Sequence, residues 1–575
     1  MAGPSDDKLI YVDMTRQSAE LKPFPEAWKL LGGRALSAKI LLAECNPKCD
    51  ALGPDNVLVM APGVLSGTMA PTSGRISIGG KSPLTGGIKE ANSGGQPGQH
   101  LMKLGVRAVV VKGQPADASK RYALEVTAEG AKVVAADEYK GQLNYTLCEN
   151  LSKKYPKTSS FISCGPAGEL RLSGASVATT DQDNRYPARH AARGGLGAVM
   201  GSKGLKYVMV DPGKLGVRQP ADRKKFGVLT KDYSKSYLEG PQMFKTGTSG
   251  IVPVANMLHT FPYKNRTSGQ TPDVKTLDGA RIQESFATRG GGMHNCMTGC
   301  IVRCSNIVHD AEGNYKTSAL EFETLALLGA SCAVASWEEV AELDRACDEV
   351  GLDTIETGAA IAVLMDAGKM TWGDSKSMKA LILEEVPKAT ERGKAIGNGA
   401  VATGKFTGHA RVPHGKGQAI PAWDPRPLKA TGVTYCTSPM GADHTAGLII
   451  NPGLAQDQFP YESQKVQLVN AVCDSSGFCQ FIQPTLDLMR EFYGALYGEA
   501  VSREQIADLG WQCLSDEWEF NRRAGFTAAD DRLADCLAQD KIGAGVVFDV
   551  PAEIIQQVYT RQPAREDLYT TRAAG

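Results

Sequence analysis

The stretch CDEVGLD, Cys347 to Asp353, returns further along the chain as CDSSGFC, Cys473 to Cys479. Both copies read Cys-Asp-x-x-Gly, followed by Leu or Phe and then by Asp or Cys. Two copies of one pattern indicate two equivalent halves of a single ligand, held by Asp348 and Asp474. The alternative is a chance pair of helices that end in glycine turns, since glycine is a common residue after a helix.

Helix signals around the first copy define it as a joint between two helices. Ser336 can cap the first helix, with Glu339 three residues on as its capping-box partner. Gly351 suits the left-handed position that ends this helix. Asp353 can then cap the next helix, with Glu356 as its partner. We expect the second copy to form the same kind of joint.

The sequence pattern changes along the chain in a way that indicates its domains. Up to about residue 212, short β-branched runs alternate with Gly, Pro and Asp turns, which is typical of strands. From about Pro220 the pattern is helical, and a Gly- and His-containing connector runs from Gly404 to Gly417. We therefore predict an α+β fold, with a β-rich N-terminal domain over 1–212 and two mainly helical domains over 213–405 and 406–575.

The composition excludes several classes of protein. The 575 residues allow a large buried core. Lys plus Arg and Asp plus Glu both total 63, which argues against a nucleic-acid-binding or polybasic membrane surface. The 14 cysteines are too sparse for a disulfide scaffold and favour reduced thiols and a metal site. We see no secretory pattern and no run of about 18 apolar residues, so we expect a cytoplasmic protein without a membrane span.

A group of cysteines lies in MHNCMTGCIVRCSN, Met293 to Asn306. The three cysteines are four residues apart: Cys296, Cys300 and Cys304. They could line a loop around an iron–sulfur cluster, or bind zinc together with the flanking His294 or His309. The alternative is three small buried hydrophobic residues on one helical face. A full cubane needs a fourth thiolate, for which the candidates are Cys473 and Cys479.

Together with longer stretches, these motifs resemble the tungsten-containing aldehyde:ferredoxin oxidoreductase family, nearly from end to end. The stretches are GGRALSAKILL (Gly32–Leu42), APTSGRISIGGKSPLTGGIKEANSGG (Ala70–Gly95), AARGGLGAVMGSKGLK (Ala191–Lys206), EFETLALLG (Glu321–Gly329), AWDPR (Ala422–Arg426) and GADHTAG (Gly441–Gly447). The resemblance implies a β-rich base domain for tungsten held by two pterin dithiolenes, with two helical domains closing over it. The dithiolenes supply the sulfur ligands, and the protein residues do not decide between tungsten and molybdenum.

The resemblance assigns contacts with this bis-pyranopterin to particular residues. They are Arg75, Asn92, Gly94, Arg193, Asp348, Leu352, Asp353, Asp474, Phe478 and Cys479. The guanidinium groups of Arg75 and Arg193 suit the pterin phosphates. The aspartates of the two copies resemble carboxylates that accept hydrogen bonds from pterin ring nitrogens. The backbone carbonyls of Asn92 and Gly194 would hold Mg²⁺ between the phosphates.

The resemblance also completes the iron–sulfur site. The implied ligands of a [4Fe-4S] cluster are Cys296, Cys300, Cys304 and Cys479, so that Cys479 would link the cluster to a pterin. The first two cysteines are one residue further apart than in the family pattern, and Cys296 therefore needs a one-residue bulge. A second departure follows His444, where the family has a lysine two residues on and this chain has Ala446. One pterin or substrate contact is therefore missing or replaced.

Glu323 and His444 match the acid–base pair of the family's aldehyde oxidisers. A histidine can polarise a carbonyl, and a carboxylate can accept a proton from attacking water. Glu321, two positions away, is the alternative base. The resemblance implies oxidation of an aldehyde to a carboxylic acid, with electrons leaving to a ferredoxin or a ferredoxin-like iron–sulfur subunit. We expect the chain to form a homo- or hetero-oligomer.

Two other functions fit parts of the pattern. Family members that dearomatise benzoyl-CoA use the cofactor for low-potential reduction of an aryl-CoA ring. A non-catalytic electron-transfer or assembly subunit would keep only the fold, but the intact Arg75, Asn92, Asp348, Asp474 and cysteines argue against it. Because the chain has no obvious large insertion that could hold coenzyme A, we expect free aldehydes as substrates.

Overall fold

The computed structural model describes residues 7–543 and 545–573, and its N-terminal part is built on two six-stranded sheets. In spatial order, the strands of the first sheet are Ser18–Pro23, Lys8–Asp13, Val106–Lys112, Leu58–Pro62, Ile76–Lys81 and Ile88–Ser93. Those of the second sheet are Gly130–Ala135, Tyr122–Thr127, Leu205–Val210, Ser160–Cys164, Val177–Thr179 and Arg189–Ala191. The β-rich character predicted up to residue 212 is therefore confirmed.

The two sheets have the same connectivity, so the N-terminal part is a structural duplication. In each sheet the first two strands in sequence pair antiparallel, the last strand lies parallel to the first, and the other neighbours are antiparallel. A short helix, Pro97–Lys103 or Leu196–Ser202, precedes the last strand of each sheet. Apolar side chains of both sheets, among them Val109 and Val208, form one buried cluster, so the two halves share a core.

The rest of the chain is mainly helical, which confirms the α+β class. The longer helices of the whole chain are Gly33–Glu44, Asn144–Lys154, Arg223–Glu239, Gly279–Arg289, Trp337–Val350, Thr354–Asp366, Ala400–Thr407, Lys429–Thr437, Phe459–Ser476, Leu486–Tyr497 and Arg503–Ala524. None of the helices in the described part of the chain is long and apolar enough to span a membrane. The division into two helical domains at residues 405 and 406 stays a prediction.

Short strands also occur where the sequence predicts mainly helix. Gly292–His294, Ser305–His309 and Tyr315–Ser318 form an antiparallel sheet, and His414–Gly415 pairs with Gln418–Ala419. The three clustered cysteines lie in the irregular loop between the first two of these strands. The alternative that places them on one helical face is therefore wrong, because strand pairing on both sides of the loop replaces the helix.

The first copy forms the joint that the sequence predicts, except that the capping box at Glu339 is only half formed in the described residues, where the Ser336 hydroxyl donates to the carboxylate of Glu338 (2.9 Å). Ser336 Oγ accepts a hydrogen bond from the N–H of Glu339 (3.4 Å), and Gly351 ends the helix with a φ of 80°. The carboxylate of Asp353 accepts hydrogen bonds from the first N–H groups of the next helix, Thr354–Asp366. The second copy ends its helix in the same way, since Gly477 has a φ of 89°.

The capping-box role predicted for Glu356 is wrong, because the predicted hydrogen bond from the N–H of Asp353 to the Glu356 side chain is not formed. The N–H of Asp353 donates to the carbonyl oxygen of Gly174 (3.1 Å) instead of to Glu356. The carboxylate of Glu356 accepts from the N–H groups of Ala400 (2.9 Å) and Ala419 (3.0 Å). The N–H of Asp353 and the carboxylate of Glu356 are therefore both hydrogen-bonded to distant parts of the chain. Glu356 connects this joint to Ala400 and Ala419.

Each joint packs against the end of one strand of the duplicated base. A Cβ atom added at Gly63, which follows Leu58–Pro62, would lie 2.1 Å from Gly477 Cα. A Cβ atom added at Gly165, which follows Ser160–Cys164, would lie 2.2 Å from the carbonyl oxygen of Val350. Backbone meets backbone at equivalent places in the two halves. This symmetry supports two equivalent copies over a chance pair of glycine turns.

Candidate cofactor and active site

The carboxylate of the second copy lies in a buried network of charges. Asp474 Oδ2 is 3.7 Å from Arg34 Nη1, and Asp474 Oδ1 accepts a hydrogen bond from Gln480 Nε2 (3.2 Å). Arg34 is fully buried and makes a two-bonded pair with Glu517, with both bonds 2.8 Å long. Burial raises the pKa of Asp474 well above its usual range, and the nearby Glu90 acts in the same direction.

The carboxylate of the first copy has different partners. Asp348 Oδ1 lies 2.9 Å from His190 Nε2, and Asp348 Oδ2 accepts a hydrogen bond from the Tyr145 hydroxyl (3.3 Å). Leu352 is buried, and its backbone forms a β-bridge with Ala175 of the base. The two aspartates are therefore equivalent in position, but one faces a guanidinium while the other faces an imidazole and a phenol.

Arg75 lies between the residues expected to bind pterin and those expected to bind the cluster. Its guanidinium donates to the side-chain oxygen of Asn92, to the backbone oxygen of Asn92 (3.1 Å) and to Cys479 Sγ (3.8 Å). Gly94 adjoins the cysteine loop, because a Cβ atom there would lie 3.2 Å from Cys296 Sγ. The structure thus brings these five predicted residues together.

Arg193 connects the N-terminal base to both parts of the helical region. It donates to the carbonyl oxygens of Ala442 (2.7 Å) and Ala419 (2.6 Å). Its guanidinium also faces the carboxylates of Asp353, at 3.6 Å, and Glu356, at 3.8 Å. Arg193 therefore lies beside the first copy, whereas Arg75 lies beside the second.

Several buried guanidinium nitrogens in this interior have no hydrogen-bond partner in the described part of the chain. They include Nη1 of Arg34, Nε of Arg193, and Nε and Nη2 of Arg189. Such donors are costly to bury unless an acceptor binds them. Phosphate is an acceptor whose geometry guanidinium suits well. The residues present therefore fit a phosphate-bearing cofactor.

The two carbonyl groups expected to hold Mg²⁺ already accept hydrogen bonds. Asn92 O accepts from Arg75 Nη2, and Gly194 O accepts from the Ser82 hydroxyl (2.7 Å). A carbonyl oxygen has a second lone pair that can still bind a cation. The magnesium site stays a prediction.

Thr72 connects the three-cysteine loop to Cys479. Its N–H donates to Gly299 O (2.9 Å), its hydroxyl accepts from the N–H of Ile301 (3.0 Å), and its carbonyl accepts from the N–H of Cys479 (2.9 Å). The four predicted cluster ligands interact electrostatically with one another, and all except the partly exposed Cys296 are buried. The structure therefore brings them to one place.

The electrostatics of this loop favour a thiolate at Cys296. A hydrogen bond with Cys300, together with the nearby guanidinium groups of Arg189 and Arg75, lowers the pKa of Cys296 to about 6, although burial acts against the charge. The thiolate is the form of cysteine that binds iron. The same hydrogen bond raises the pKa of Cys300, and burial raises the pKa of Cys304 and Cys479, so the role of the four cysteines as cluster ligands stays a prediction.

The histidines that flank the cysteines have partners of their own. His294 Nδ1 lies 2.9 Å from the carboxylate of Asp183, and His309 Nδ1 lies 3.1 Å from the carbonyl oxygen of Arg289. Over residues 7–543 and 545–573, no group of three or more His, Cys, Asp or Glu side chains is arranged to hold a single metal ion.

Glu323 and His444 face each other. His444 Nδ1 is 3.7 Å from Glu323 Oε1, and both atoms are buried with no hydrogen-bond partner among the residues described. The other carboxylate oxygen of Glu323 accepts from the N–H of Ala422 (2.7 Å), which fixes the side chain. An unpartnered imidazole nitrogen and an unpartnered carboxylate oxygen can together bind a polar ligand and move a proton.

Glu321 extends towards the cysteine loop instead. Its carboxylate accepts a hydrogen bond from the Thr248 hydroxyl, and burial raises its pKa. The charged groups that interact with it include Arg189 and Cys296. Residues two apart at the start of a helix point in nearly opposite directions. The structure therefore places Glu323 beside His444 and Glu321 beside the cysteines.

Sequence reasoning did not single out four residues that the structure brings to the site. They are Arg34, Thr72, Lys89 and His190. Arg34 stands in GGRALSAKILL and Lys89 in TGGIKEANSGG, so both lie in stretches that carry the family resemblance. Their partners lie hundreds of residues away, and no local pattern indicates them.

A duplicated β base, two equivalent helix joints and four gathered cysteines are the arrangement that the sequence leads us to expect of a cofactor-binding oxidoreductase. The comparison with known families agrees. The chain belongs to the aldehyde ferredoxin oxidoreductase family, because the N-terminal domain of that family matches residues 9–212 and its domains 2 and 3 match residues 228–566. The family membership and the oxidoreductase class predicted from the sequence are confirmed.

Curated relatives extend over nearly the whole chain. The tungsten-containing aldehyde ferredoxin oxidoreductase of Pyrococcus furiosus is 29% identical, with 94% of this chain and 92% of that protein covered. The enzyme of the same name from Thermococcus kodakarensis is 29% identical, covering 91% and 90%. The aliphatic sulfonate oxidoreductase, WOR-like subunit, of Pyrococcus furiosus is 27% identical, covering 88% and 84%.

A solved structure has the same fold. It is a chain of the active site complex BamBC of benzoyl coenzyme A reductase in complex with 1,5-dienoyl-CoA. The TM-score is 0.82 at 17% sequence identity, and the match covers 97% of this chain and 94% of that chain.

Proposed function

We propose that this chain is the catalytic subunit of an enzyme that oxidises aldehydes to carboxylic acids. The observation that carries the proposal is the pair of unpartnered, buried atoms, His444 Nδ1 and Glu323 Oε1, 3.7 Å apart. The tungsten-containing aldehyde ferredoxin oxidoreductases among its relatives support it. In the reaction, an aldehyde and water give a carboxylic acid, two protons and two electrons.

The buried charges support a bis-pyranopterin as the cofactor. Carrying tungsten or molybdenum, it would accept the two electrons of the oxidation. The carboxylates of Asp348 and Asp474 would accept hydrogen bonds from its ring nitrogens, and Arg75 and Arg193 would bind its phosphates. Leu352, Asp353, Phe478 and Gly94 would border it, and Mg²⁺ would bind at the carbonyls of Asn92 and Gly194.

The four gathered cysteines would hold a [4Fe-4S] cluster that carries electrons away one at a time. Arg75 would lie between the two cofactors, since its guanidinium contacts both Asn92 and Cys479. The described residues supply thiols for one such cluster, so we propose a ferredoxin or a ferredoxin-like iron–sulfur subunit as the acceptor. A related fold in a multi-subunit complex supports an oligomer.

The acid–base chemistry would follow from the two side chains. His444 would donate a hydrogen bond to the aldehyde oxygen and stabilise the negative charge that develops there. Glu323 Oε1 would accept a proton from the attacking water, while the bond from Ala422 N–H keeps the carboxylate in place. Each contribution is typically worth about 10²- to 10⁴-fold in rate.

Low-potential reduction of an aryl-CoA ring is the second candidate. The fold likeness to a chain of a benzoyl coenzyme A reductase complex favours it. The lack of a large insertion in this chain does not count against it, because the match covers 94% of the length of that chain. Glu323 and His444 of this chain would then act as proton donors to the aromatic ring.

The deciding experiment compares both activities in one anaerobic preparation of the whole protein. We expect the enzyme to reduce benzyl viologen with short aliphatic or aromatic aldehydes, and to contain about four iron atoms and one tungsten or molybdenum atom per chain. His444→Asn provides the matched control. A wild-type enzyme that ignores every aldehyde but reduces an aryl-CoA with a low-potential donor would reverse the assignment.

A further inference from the structure

A buried lysine lies beside the loop that carries His444. Lys89 belongs to the strand Ile88–Ser93 and is fully buried, and its Nζ is 2.5 Å from Asp443 Oδ2. Asp443 is also buried and directly precedes His444. A buried ion pair offsets the free-energy cost of removing both charges from water only if its geometry is good and further hydrogen bonds satisfy the two groups.

Asp443 organises the turn that presents His444. Its Oδ1 accepts hydrogen bonds from the N–H (3.1 Å) and the hydroxyl (2.9 Å) of Thr445. Asp443 thereby caps the single turn His444–Ala446. The same oxygen is 3.8 Å from His444 Nδ1. Burial acts to raise the pKa of Asp443, but Lys89, Arg193 and His444 outweigh it and hold that pKa well below its usual range.

Lys89 is itself held by the base. A Cβ atom at Gly194 would lie 2.4 Å from Lys89 Cγ, so the lysine stem packs directly on that glycine. The neighbouring Arg193 binds the carbonyl oxygen of Ala442, one residue before Asp443. Two cations of the N-terminal base therefore fix consecutive residues of the loop.

The loop has no cation of its own at the place where the family pattern has one. Ala446 stands two residues after His444 and is completely buried. An ammonium group reaches the residue before this turn from Lys89, in the strand Ile88–Ser93 of the N-terminal part.

We propose that Lys89 is a positioning residue for His444, acting through Asp443. This inference rests on the proposed role of His444. Without the ammonium group, Asp443 loses the ion pair at its Oδ2 atom and the turn can rotate. In the described part of the chain the Lys89 ammonium is hydrogen-bonded and ion-paired to Asp443 and not to Glu323, so its effect on the reaction should pass through the histidine.

The test is a double-mutant cycle between Lys89 and His444. Lys89→Met should lower kcat by about 10- to 100-fold, since small displacements of a catalytic group cost that much, with little change in KM and in bound tungsten or iron. Lys89→Arg should recover much of the loss. In a His444→Asn background, Lys89→Met should lower kcat no further. A loss that persists there, or one that tracks lost metal, would overturn the proposal.

Lys206→Met is the matched control. Lys206 is also fully buried and ion-paired, with Glu169, but it lies in the strand Leu205–Val210 of the second sheet and makes no ion pair with Asp443 in the described part of the chain. The Lys206→Met variant should have a lower melting temperature than the wild type but the same turnover per bound tungsten. An equal loss of kcat in both variants would show that Lys89 acts only on stability.

A second measurement needs no turnover. The rate at which diethyl pyrocarbonate modifies His444, followed by peptide mass spectrometry, should rise severalfold in Lys89→Met and stay unchanged in Lys206→Met. An unchanged rate in Lys89→Met would sink the positioning role even if the protein oxidised no aldehyde. A wild-type enzyme without aldehyde activity but with the expected change in modification rate would count against the proposed function alone.

Discussion

Glu323 and His444 test the chemistry at the scale of single residues. Glu323→Gln keeps an acceptor for the N–H of Ala422 but removes the proton acceptor, and His444→Asn removes the imidazole. We expect each change to lower aldehyde turnover by about 10²-fold or more while tungsten and iron contents stay normal. Viologen reduction per bound tungsten measures the effect.

Glu321→Gln is the matched comparison for this prediction. It makes the same change two residues away, at a carboxylate bound to Thr248 and facing Arg189. It should lower turnover far less than Glu323→Gln. Equal losses in the two variants would show that the base has been assigned to the wrong glutamate.

The two cysteines of the second copy should differ in their effect on iron. Cys479 is bonded through its N–H to Thr72 and through its sulfur to Arg75, whereas Cys473 Sγ donates to Phe478 O (3.5 Å) inside the apolar core. Cys479→Ser should lose iron and the visible absorbance of the cluster, and Cys473→Ser should keep both. Iron analysis that finds the same loss in both variants would remove Cys479 as the fourth ligand.

Candidate site residues could be predicted from the sequence where they belong to a local motif. Asp348 and Asp474 stand in a repeated joint, and the cysteines stand in a regular spacing, so their types and positions carry the signal. Arg34 and Lys89 could not be found in this way, because each gains its role from a carboxylate hundreds of residues away. Physical complementarity between distant segments leaves no trace in a single sequence.

At the scale of elements, the cysteine loop shows where a periodic spacing misleads. A spacing of four residues matches one turn of a helix, which made a helical face an open alternative. The flanking segments Gly292–His294 and Ser305–His309 pair with each other instead, and the loop between them is held by Thr72. Strand pairing and tertiary hydrogen bonds override the local period.

The close backbone contacts at Gly63 and Gly165 predict matched effects of two substitutions. Gly63→Ala and Gly165→Ala would each put a Cβ atom about 2 Å from the backbone of one joint. Overpacking of this kind typically costs about 1–3 kcal/mol, and each variant should also lose bound tungsten because its aspartate moves. Calorimetry and metal analysis measure the two effects.

Gly227→Ala serves as the control for these substitutions. Gly227 lies exposed in the helix Arg223–Glu239, and a Cβ atom there would meet nothing within 4 Å. Alanine is the better helix former by about 1 kcal/mol, so this variant should gain stability and keep its tungsten. If Gly63→Ala and Gly165→Ala behave as Gly227→Ala does, the joints do not depend on these contacts.

At the scale of the whole molecule, two apolar cores each join one part of the base to one set of helices. One core joins residues of Gly33–Glu44 to those of Phe459–Ser476 and Arg503–Ala524. The other joins residues near Ala175 to those of Trp337–Val350 and Thr354–Asp366. The molecule is therefore two coupled halves, and neither core follows the order of the chain.

The duplication behind these halves was not predicted from the sequence. Ser93-Gly94-Gly95 and Arg193-Gly194-Gly195 stand at equivalent places, between a strand and the short helix that follows it. A pair of glycines is too short a match to be significant alone. The shared connectivity becomes evident only when the pairing of strands is known.

Because Asp348 and Asp474 belong to different halves, a ligand held by both binds only the assembled molecule. Such a ligand stabilises the fold by mass action, by about 4 kcal/mol when its free concentration is 1,000 times its Kd. Protein from a host that cannot make the pterin should therefore melt at a lower temperature than the loaded protein. Arg34 Nη1 and Arg193 Nε, which are buried without a hydrogen-bond partner among the described residues, add to this difference.

Asp348→Asn and Asp474→Asn test separately whether each half of the molecule contributes to binding the cofactor. Each change keeps the size of the side chain but replaces one carboxylate oxygen, the group proposed to accept hydrogen bonds from the ring N–H groups, with an amide NH₂ group. Each variant should contain less pterin and tungsten than the wild type, and its melting temperature should fall towards that of the cofactor-free protein. Full tungsten occupancy in both variants, or equal melting of the loaded and cofactor-free wild type, would contradict a cofactor that joins the two halves.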